Sequence, residues 1–383
     1  MLTSFSMQTY AQRVANVRKR IAARGFDALV VNMPDNINYL TGFDSLGFLW
    51  YQALFLTTQP STPWFLTRNC EEPCVKELSS IELAAYYDIA SQDPVELVAR
   101  AIIDAGLQRG RIGLELAAFT LSPEQYLRLR KCVPDATFED ASTVVCEERL
   151  IKTPQEIAYQ RSAARMADYA MKAAFNSLKP GVSEVAVAGA AASALGEAGS
   201  EYAAISPMVA TGRRSTMVHA MPSRQVISAG DVVIIELAGV CNRYHSILLR
   251  TAVVGKPTAR VRQTSDLLAE AFKGAIDVAK PGSPVGGPNT VCNSILNRLN
   301  LAGNRVHRIG YSLGLAYPPT WLEALVLDES VEEVFAPNMS FTMEPNLSFY
   351  EEGFGLKLGD TVLCTERGSV SLSDLPPTLT VID

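Results

Sequence analysis

Two glutamates and one histidine sit in contexts that a purely structural role explains poorly. The run Gly230-Asp-Val-Val-Ile-Ile-Glu-Leu-Ala-Gly239 is almost wholly apolar and carries Glu236 near its centre. A carboxylate in such a run needs a partner or a task, because burying an unpaired charge is far costlier than burying an apolar side chain. Glu344 repeats the pattern in Ser340-Phe-Thr-Met-Glu-Pro345, closing a second apolar stretch just before a proline. His219, in Met217-Val-His-Ala-Met-Pro222, is one of three histidines, and imidazole is the side chain best matched to proton transfer near neutral pH. Taken singly, each is more often structural, an acid at a solvent edge or a histidine satisfied in the core. Taken together, two buried carboxylates and an imidazole suggest a site for proton transfer.

Strands and helices must position these groups. Val232–Leu237 reads as a buried strand. A long helix is predicted from Thr153-Pro-Gln-Glu156 to about Leu178, with Thr153 as cap, Pro154 at the tolerated first position and Glu156 completing a capping box. A faint repeat follows: Ala174-Phe175 leads through Lys179-Pro-Gly181 into one helix, and Ala271-Phe272 through Lys280-Pro-Gly282 into another. Such a duplication predicts a pseudo-twofold axis that brings Glu236 and Glu344 together. Upstream, Tyr10, Val14, Val17 and Ile21 recur at helical spacing, Asp27–Val31 reads as a short buried strand, and apolar runs follow at Ala53–Leu56 and Trp64–Leu66. A helix over Pro94–Ala105, a strand over Ile112–Leu116 and a helix over Pro123–Cys132 continue an α/β rhythm. At 383 residues the chain exceeds the span of a single core, so two domains are expected, over 1–147 and 148–383.

Composition removes several function classes. Lys+Arg number 34 against 40 Asp+Glu, with no basic stripe interleaved with aromatics, so nucleic acid is not an expected partner. No G-x-G-x-x-G opens a helix, which leaves a dinucleotide role unsupported. Met1–Tyr10 lacks the features of a secretory signal and no apolar run is long enough to span a membrane, so a cytoplasmic protein without membrane contact is expected. The seven cysteines are scattered, with no C-x-x-C spacing for zinc or redox chemistry.

These motifs resemble the pita-bread family that includes methionine and proline-specific aminopeptidases, creatinase and ectoine hydrolase. The resemblance spans the whole chain: Tyr39-Leu-Thr-Gly42, then Arg149-Leu-Ile-Lys-Thr-Pro-Gln-Glu-Ile157 at the junction, then the strand motifs beyond. It implies a creatinase-like α/β N-terminal domain followed by an α+β pita-bread domain. In the peptidases two aspartates, a histidine and two glutamates bind two metals, and the first aspartate follows a catalytic histidine by seventeen residues, as Glu236 follows His219. On that register the five ligand positions are Glu236, Ile247, Tyr311, Glu344 and Gly359. Ile247 and Gly359 offer no side-chain donor and a neutral phenol is a poor ligand, so no metal and no other cofactor is expected.

Ectoine hydrolases share the acid-Leu/Ile-Ala-Gly pattern of Glu236–Gly239, the run Arg243-Tyr-His245 and Gly310-Tyr-Ser-Leu-Gly-Leu-Ala-Tyr-Pro-Pro-Thr-Trp321. Thr342-Met-Glu-Pro345 is closer to creatinase or the peptidases, while Leu249 replaces a creatinase glutamate. The resemblance implies a metal-independent hydrolase of a small nitrogen-rich compound: an ectoine-like cyclic amidine, a lactam or a creatine-like acid. His219 would be the acid/base, Glu236 the nucleophile or electrostatic partner, and Glu344 the anchor of a cationic nitrogen. Phe48, Trp50, His245, Tyr311, Tyr317 and Trp321 are the expected substrate-binding residues, while His307 reads as structural or exposed. A homodimer is implied, with the N-terminal domain of one subunit contributing Phe48 and Trp50 to its neighbour's pocket. A metal-dependent Xaa-Pro dipeptidase and an inactive binding protein on the same fold remain alternatives.

Overall fold

The computed structural model describes residues 3–383 and divides into two compact units between Arg149 and Leu150. The expected boundary at residue 147 falls inside the helix Thr143–Arg149, whose Arg149 is buried and paired with Asp35 at 2.5 Å. Among the described residues no helix is long and apolar enough to cross a membrane.

The first unit is built on a six-stranded sheet ordered Leu83–Tyr87, Trp64–Arg68, Ala53–Thr57, Ala28–Val31, Arg111–Leu114 and Thr137–Asp140. Ala28–Val31 pairs antiparallel with Ala53–Thr57 and parallel with Arg111–Leu114, and all four of its residues are buried. The helix Met7–Ala23, capped by Ser6, buries Tyr10, Val14, Val17 and Ile21 as their spacing predicts. The strand expected over Ile112–Leu116 stops at Leu114 because Glu115 turns inward. Its wholly buried carboxylate accepts the N–H groups of Asn32 and Met33 and the amide of Asn36.

The second unit opens with the helix Pro154–Ser177, whose capping box at Thr153 and Glu156 is present as read from the sequence. It leads to a nine-stranded sheet with the main order Thr320–Val326, Tyr311–Tyr317, Ser340–Met343, Gly359–Thr365, Tyr244–Val254, Val232–Cys241 and Met208–Thr211. The faint repeat is real in the backbone. Gly181 N–H bonds to Ile227 O and Ile227 N–H to Val182 O; in the second half Gly282 N–H bonds to Phe335 O and Phe335 N–H to Ser283 O. Both glycines adopt positive φ, at 91° and 82°, which a side chain would resist. Glu236 follows Ile227 by nine residues and Glu344 follows Phe335 by nine, so the two acids occupy matching places in the halves.

The strand expected over Val232–Leu237 extends to Cys241, because it pairs residue for residue with Tyr244–Val254 through a turn at Asn242 and Arg243, both at positive φ. Val233, Ile235 and Leu237 pack with residues of Pro154–Ser177 and Glu184–Glu197. Strand alternation turns Ile234, Glu236 and Ala238 to the other face, and the register sets Met208 and Leu249 on either side of Glu236. The helix rides close on this strand: a Cβ at Gly239 would lie 2.0 Å from the Ala163 carbonyl oxygen. Gly239→Ala is therefore expected to lower the unfolding free energy by about 3 kcal/mol. Gly189→Ala, on a helix with nothing near its Cβ, is expected to raise it by roughly 0.5–1 kcal/mol. Urea unfolding of both variants checks the pair, and equal midpoints would refute the packing argument.

Candidate active site in the second unit

A cavity of about 400 Å³ is lined by residues of the second unit alone, among them Glu236, Glu344, His219, His307, Tyr311, Trp321, Lys357 and Arg308. Its central contact is an ion pair. Lys357 Nζ donates to Glu236 Oε2 at 2.7 Å, and both side chains are more than nine-tenths buried. The same ammonium donates to the carbonyl of Val218, tying down the loop that carries His219. Lys357 is itself held by Thr251, whose hydroxyl accepts the Lys357 N–H at 2.9 Å and donates to the Lys357 carbonyl at 2.7 Å. The second carboxylate oxygen of Glu236 accepts no hydrogen bond among the described residues and is available to the cavity.

Glu344 has no comparable partner. Its Oε2 accepts the Tyr311 hydroxyl at 3.3 Å, while Oε1 is buried without a hydrogen bond, 3.4 Å from His307 Nδ1. Burial and then the charge of Glu236 push its carboxyl well above the usual range, outweighing Lys357, Tyr311 and Arg308, so its protonated form is favoured. Tyr311 is fixed by Trp321, whose indole N–H donates to the phenol oxygen at 2.9 Å, and burial raises the phenol so that it stays neutral. His219 is exposed, makes no hydrogen bond among the described residues, and meets His307 edge to face with ring centroids 5.5 Å apart. Burial lowers His307 to about 4, leaving it neutral at physiological pH.

The donor set does not fit a two-metal centre. Ile247 lies in an apolar cluster with Met208, Leu249, Tyr311 and Trp321. Gly359 has no side chain, and a Cβ there would come 2.9 Å from both the Glu344 Cβ and the Met343 carbonyl oxygen. Tyr311 directs its proton to Glu344, and an ammonium already sits on Glu236. Among the described residues no three His, Cys, Asp or Glu side chains are grouped to hold a metal ion.

The expected triad of His219, Glu236 and Glu344 shares this cavity with Tyr311 and Trp321. Two other contacts expected within this unit, His245 and Tyr317, do not line it. His245 is wholly buried: Nε2 accepts the Ala204 N–H at 3.0 Å, so Nδ1 donates to the Arg243 carbonyl at 2.9 Å. Tyr317 is buried beneath the Arg243 guanidinium, 4.6 Å from its ring. Phe48 and Trp50 belong to the first unit, where they line a depression with Tyr51 and Tyr87 and Trp50 stacks on Arg68. Conversely, His307 is a wall of the cavity rather than a bystander, and Lys357 and Arg308 were missed. Lys357 did leave a signal, a lysine ending the otherwise apolar Phe354-Gly-Leu-Lys357, which asks for an anionic partner.

Two outcomes follow from these contacts. Lys357→Met leaves Glu236 uncompensated and is expected to cost about 3–5 kcal/mol of stability, most of it recovered in Lys357→Met/Glu236→Leu; a double-mutant cycle in urea showing no coupling would refute the pairing. His245 is held near 3 by burial and by Arg243. Below the ordinary histidine pKa of about 6.5 the unfolded chain binds a proton that the native site refuses, so stability falls as pH drops, by about 1.4 kcal/mol per pH unit. Between pH 6.5 and 4 the wild type should lose stability more steeply than His245→Gln, measured by urea titration at each pH.

Residues 158–366 match the sequence profile of metallopeptidase family M24, and residues 13–151 that of the creatinase/prolidase N-terminal domain. The ectoine hydrolase of Halomonas elongata is 30% identical over 98% of this chain and 98% of its own. A Xaa-Pro dipeptidase of Pyrococcus furiosus is 31% identical over 62% of this chain and 66% of its own. Among solved structures, the dipeptidase PepE of Mycobacterium ulcerans superposes with a TM-score of 0.87 at 25% identity, covering 99% of each chain.

Proposed function

Because the chain belongs to metallopeptidase family M24 and is a hydrolase of that family, we propose that it cleaves a non-peptide C–N bond of a small nitrogen-rich substrate without a catalytic metal. An ectoine-like cyclic amidine, a lactam or a creatine-like acid is the class intended. The observation that carries the reading is the Lys357 ammonium on Glu236: the charge that a metal would neutralise is neutralised by the protein. A relative of full-length coverage that is an ectoine hydrolase supports the same class.

In this reading Glu236 attacks the planar carbon through its open oxygen, and the electron pair of the breaking C–N bond goes to nitrogen, which takes a proton from His219. His219 then removes a proton from water, which attacks the former substrate carbon of the resulting mixed anhydride, or of the acyl imidate formed from an amidine, and expels the Glu236 carboxylate. Glu344, whose protonated form burial favours, meets the substrate nitrogen; beside a cationic nitrogen its carboxylate form is favoured instead, the proton passing to solvent. Lys357 stabilises the carboxylate as leaving group, and Trp321 holds Tyr311 against Glu344.

Turnover of ectoine, creatine and a proline dipeptide tests the class. His219→Ala and Glu236→Gln should each lower kcat/KM by at least about 100-fold on the substrate that is cleaved. Activity should persist after chelation and dialysis and gain nothing from added manganese. Stoichiometric metal essential for turnover, or cleavage of the dipeptide alone, would overturn the reading in favour of a dipeptidase.

A further inference from the structure

We propose that Arg308 is the anion-recognition residue of this cavity and that the substrate carries a carboxylate; the proposal rests on the cavity of the proposed function being the substrate-binding site. The charges around the cavity are unevenly used. Glu236 is neutralised by Lys357, and Glu344 has no hydrogen-bonded cation. The neighbouring guanidinium of Arg305 is occupied by Asn289, Asn293 and the His307 carbonyl. Arg308 lines the cavity, and its side chain makes no hydrogen bond or ion pair among the described residues. Its charge nevertheless acts on Glu344 and His307, which places it within electrostatic reach of the chemistry.

The backbone around it is anchored. The carbonyl of Ile309, the next residue, accepts the Glu344 N–H at 2.8 Å, so the segment bearing Arg308 is fixed beside the acid. Asn346 adds a second donor: its side-chain oxygen accepts the Val306 N–H at 3.3 Å, which leaves its NH₂ on the cavity wall. A guanidinium presents a planar fork of N–H groups matched to the two oxygens of a carboxylate. A substrate with a carboxylate at one end and the scissile C–N group at the other spans from Arg308 to Glu236 and His219. Neutral lactams and neutral amidines would gain nothing from Arg308, so the proposal favours amino-acid-like compounds within the substrate class.

The test measures binding rather than turnover, using intact His219→Ala protein so that the probes survive. Ectoine, creatine and glycylproline are titrated calorimetrically beside their neutral carboxamides. At least one acid should bind, with its amide roughly 10- to 100-fold weaker. Adding Arg308→Met should erase that preference, and Arg308→Lys should retain part of it, with unfolding midpoints unchanged because Arg308 is exposed. The proposal fails if none of the acids binds, if the amides bind as tightly, or if Arg308→Met keeps the preference. A carboxylate preference lost with Arg308, in a wild-type protein that cleaves no C–N bond, would retire the hydrolytic reading and leave this one standing. Cleavage of a neutral substrate by Arg308→Met would do the reverse.

Discussion

A buried ammonium on a buried carboxylate organises the second unit. Lys357 and Glu236 lie on different strands, Phe354–Lys357 and Val232–Cys241, and their 2.7 Å contact also fixes the loop at Val218 that presents His219. Taking two ions from water is costly, and mutual attraction offsets that cost only when further hydrogen bonds complete the geometry. Thr251 supplies part of that completion by gripping both backbone groups of Lys357. Its neighbour Arg250 pairs with Asp360 at 2.6 Å, so the residues on either side of the Gly359 position are locked to one strand.

Duplication explains why two glutamates meet, and asymmetry explains why they differ. The two halves repeat the same glycine-led backbone bonds and place their acids nine residues beyond equivalent points. One acid then receives a lysine and the other a phenol. Like charges brought close in a dry site cannot both ionise easily, so the unpaired Glu344 is the one whose protonated form is favoured. Two carboxylates of one chemistry thereby acquire different surroundings, an ammonium at Glu236 and a phenol at Glu344.

The ligand positions that the family resemblance singles out are closed as well as changed. Ile247 belongs to an apolar cluster, and the space beside Gly359 is taken by Glu344 and Met343. Tyr311 occupies a chain running from the Trp321 indole through its own hydroxyl to Glu344. Returning a single donor to one of these places would meet neighbours already packed against it. The altered residues form one mutually adjusted set, in which a lysine pairs with Glu236 and a phenol with Glu344, while the second oxygen of Glu344 stays without a hydrogen bond.

Much of this was legible along the chain. Periodicity, caps and the Lys-Pro-Gly repeats located the helices, the central strands and the duplication, because local patterns of burial and hydrogen bonding have fixed spacing. The isolated acids Glu236 and Glu344 were conspicuous for the same reason: one lies within an apolar strand and the other directly follows one. Sequence alone also determined that Ile247 and Gly359 carry no donor. Only the tertiary structure decided which polar residues meet. His245 and Tyr317 lie in motifs that match the family, yet their hydrogen bonds and stacking are spent on the Arg243 turn. Lys357, His307 and Arg308 lie far along the chain from Glu236 and reach the cavity through tertiary contacts, Lys357 by its ion pair with Glu236 and the loop at 306–309 by its bonds to Asn346 and Glu344. A side chain's partner depends on through-space contacts between distant segments, and no one-dimensional spacing encodes them.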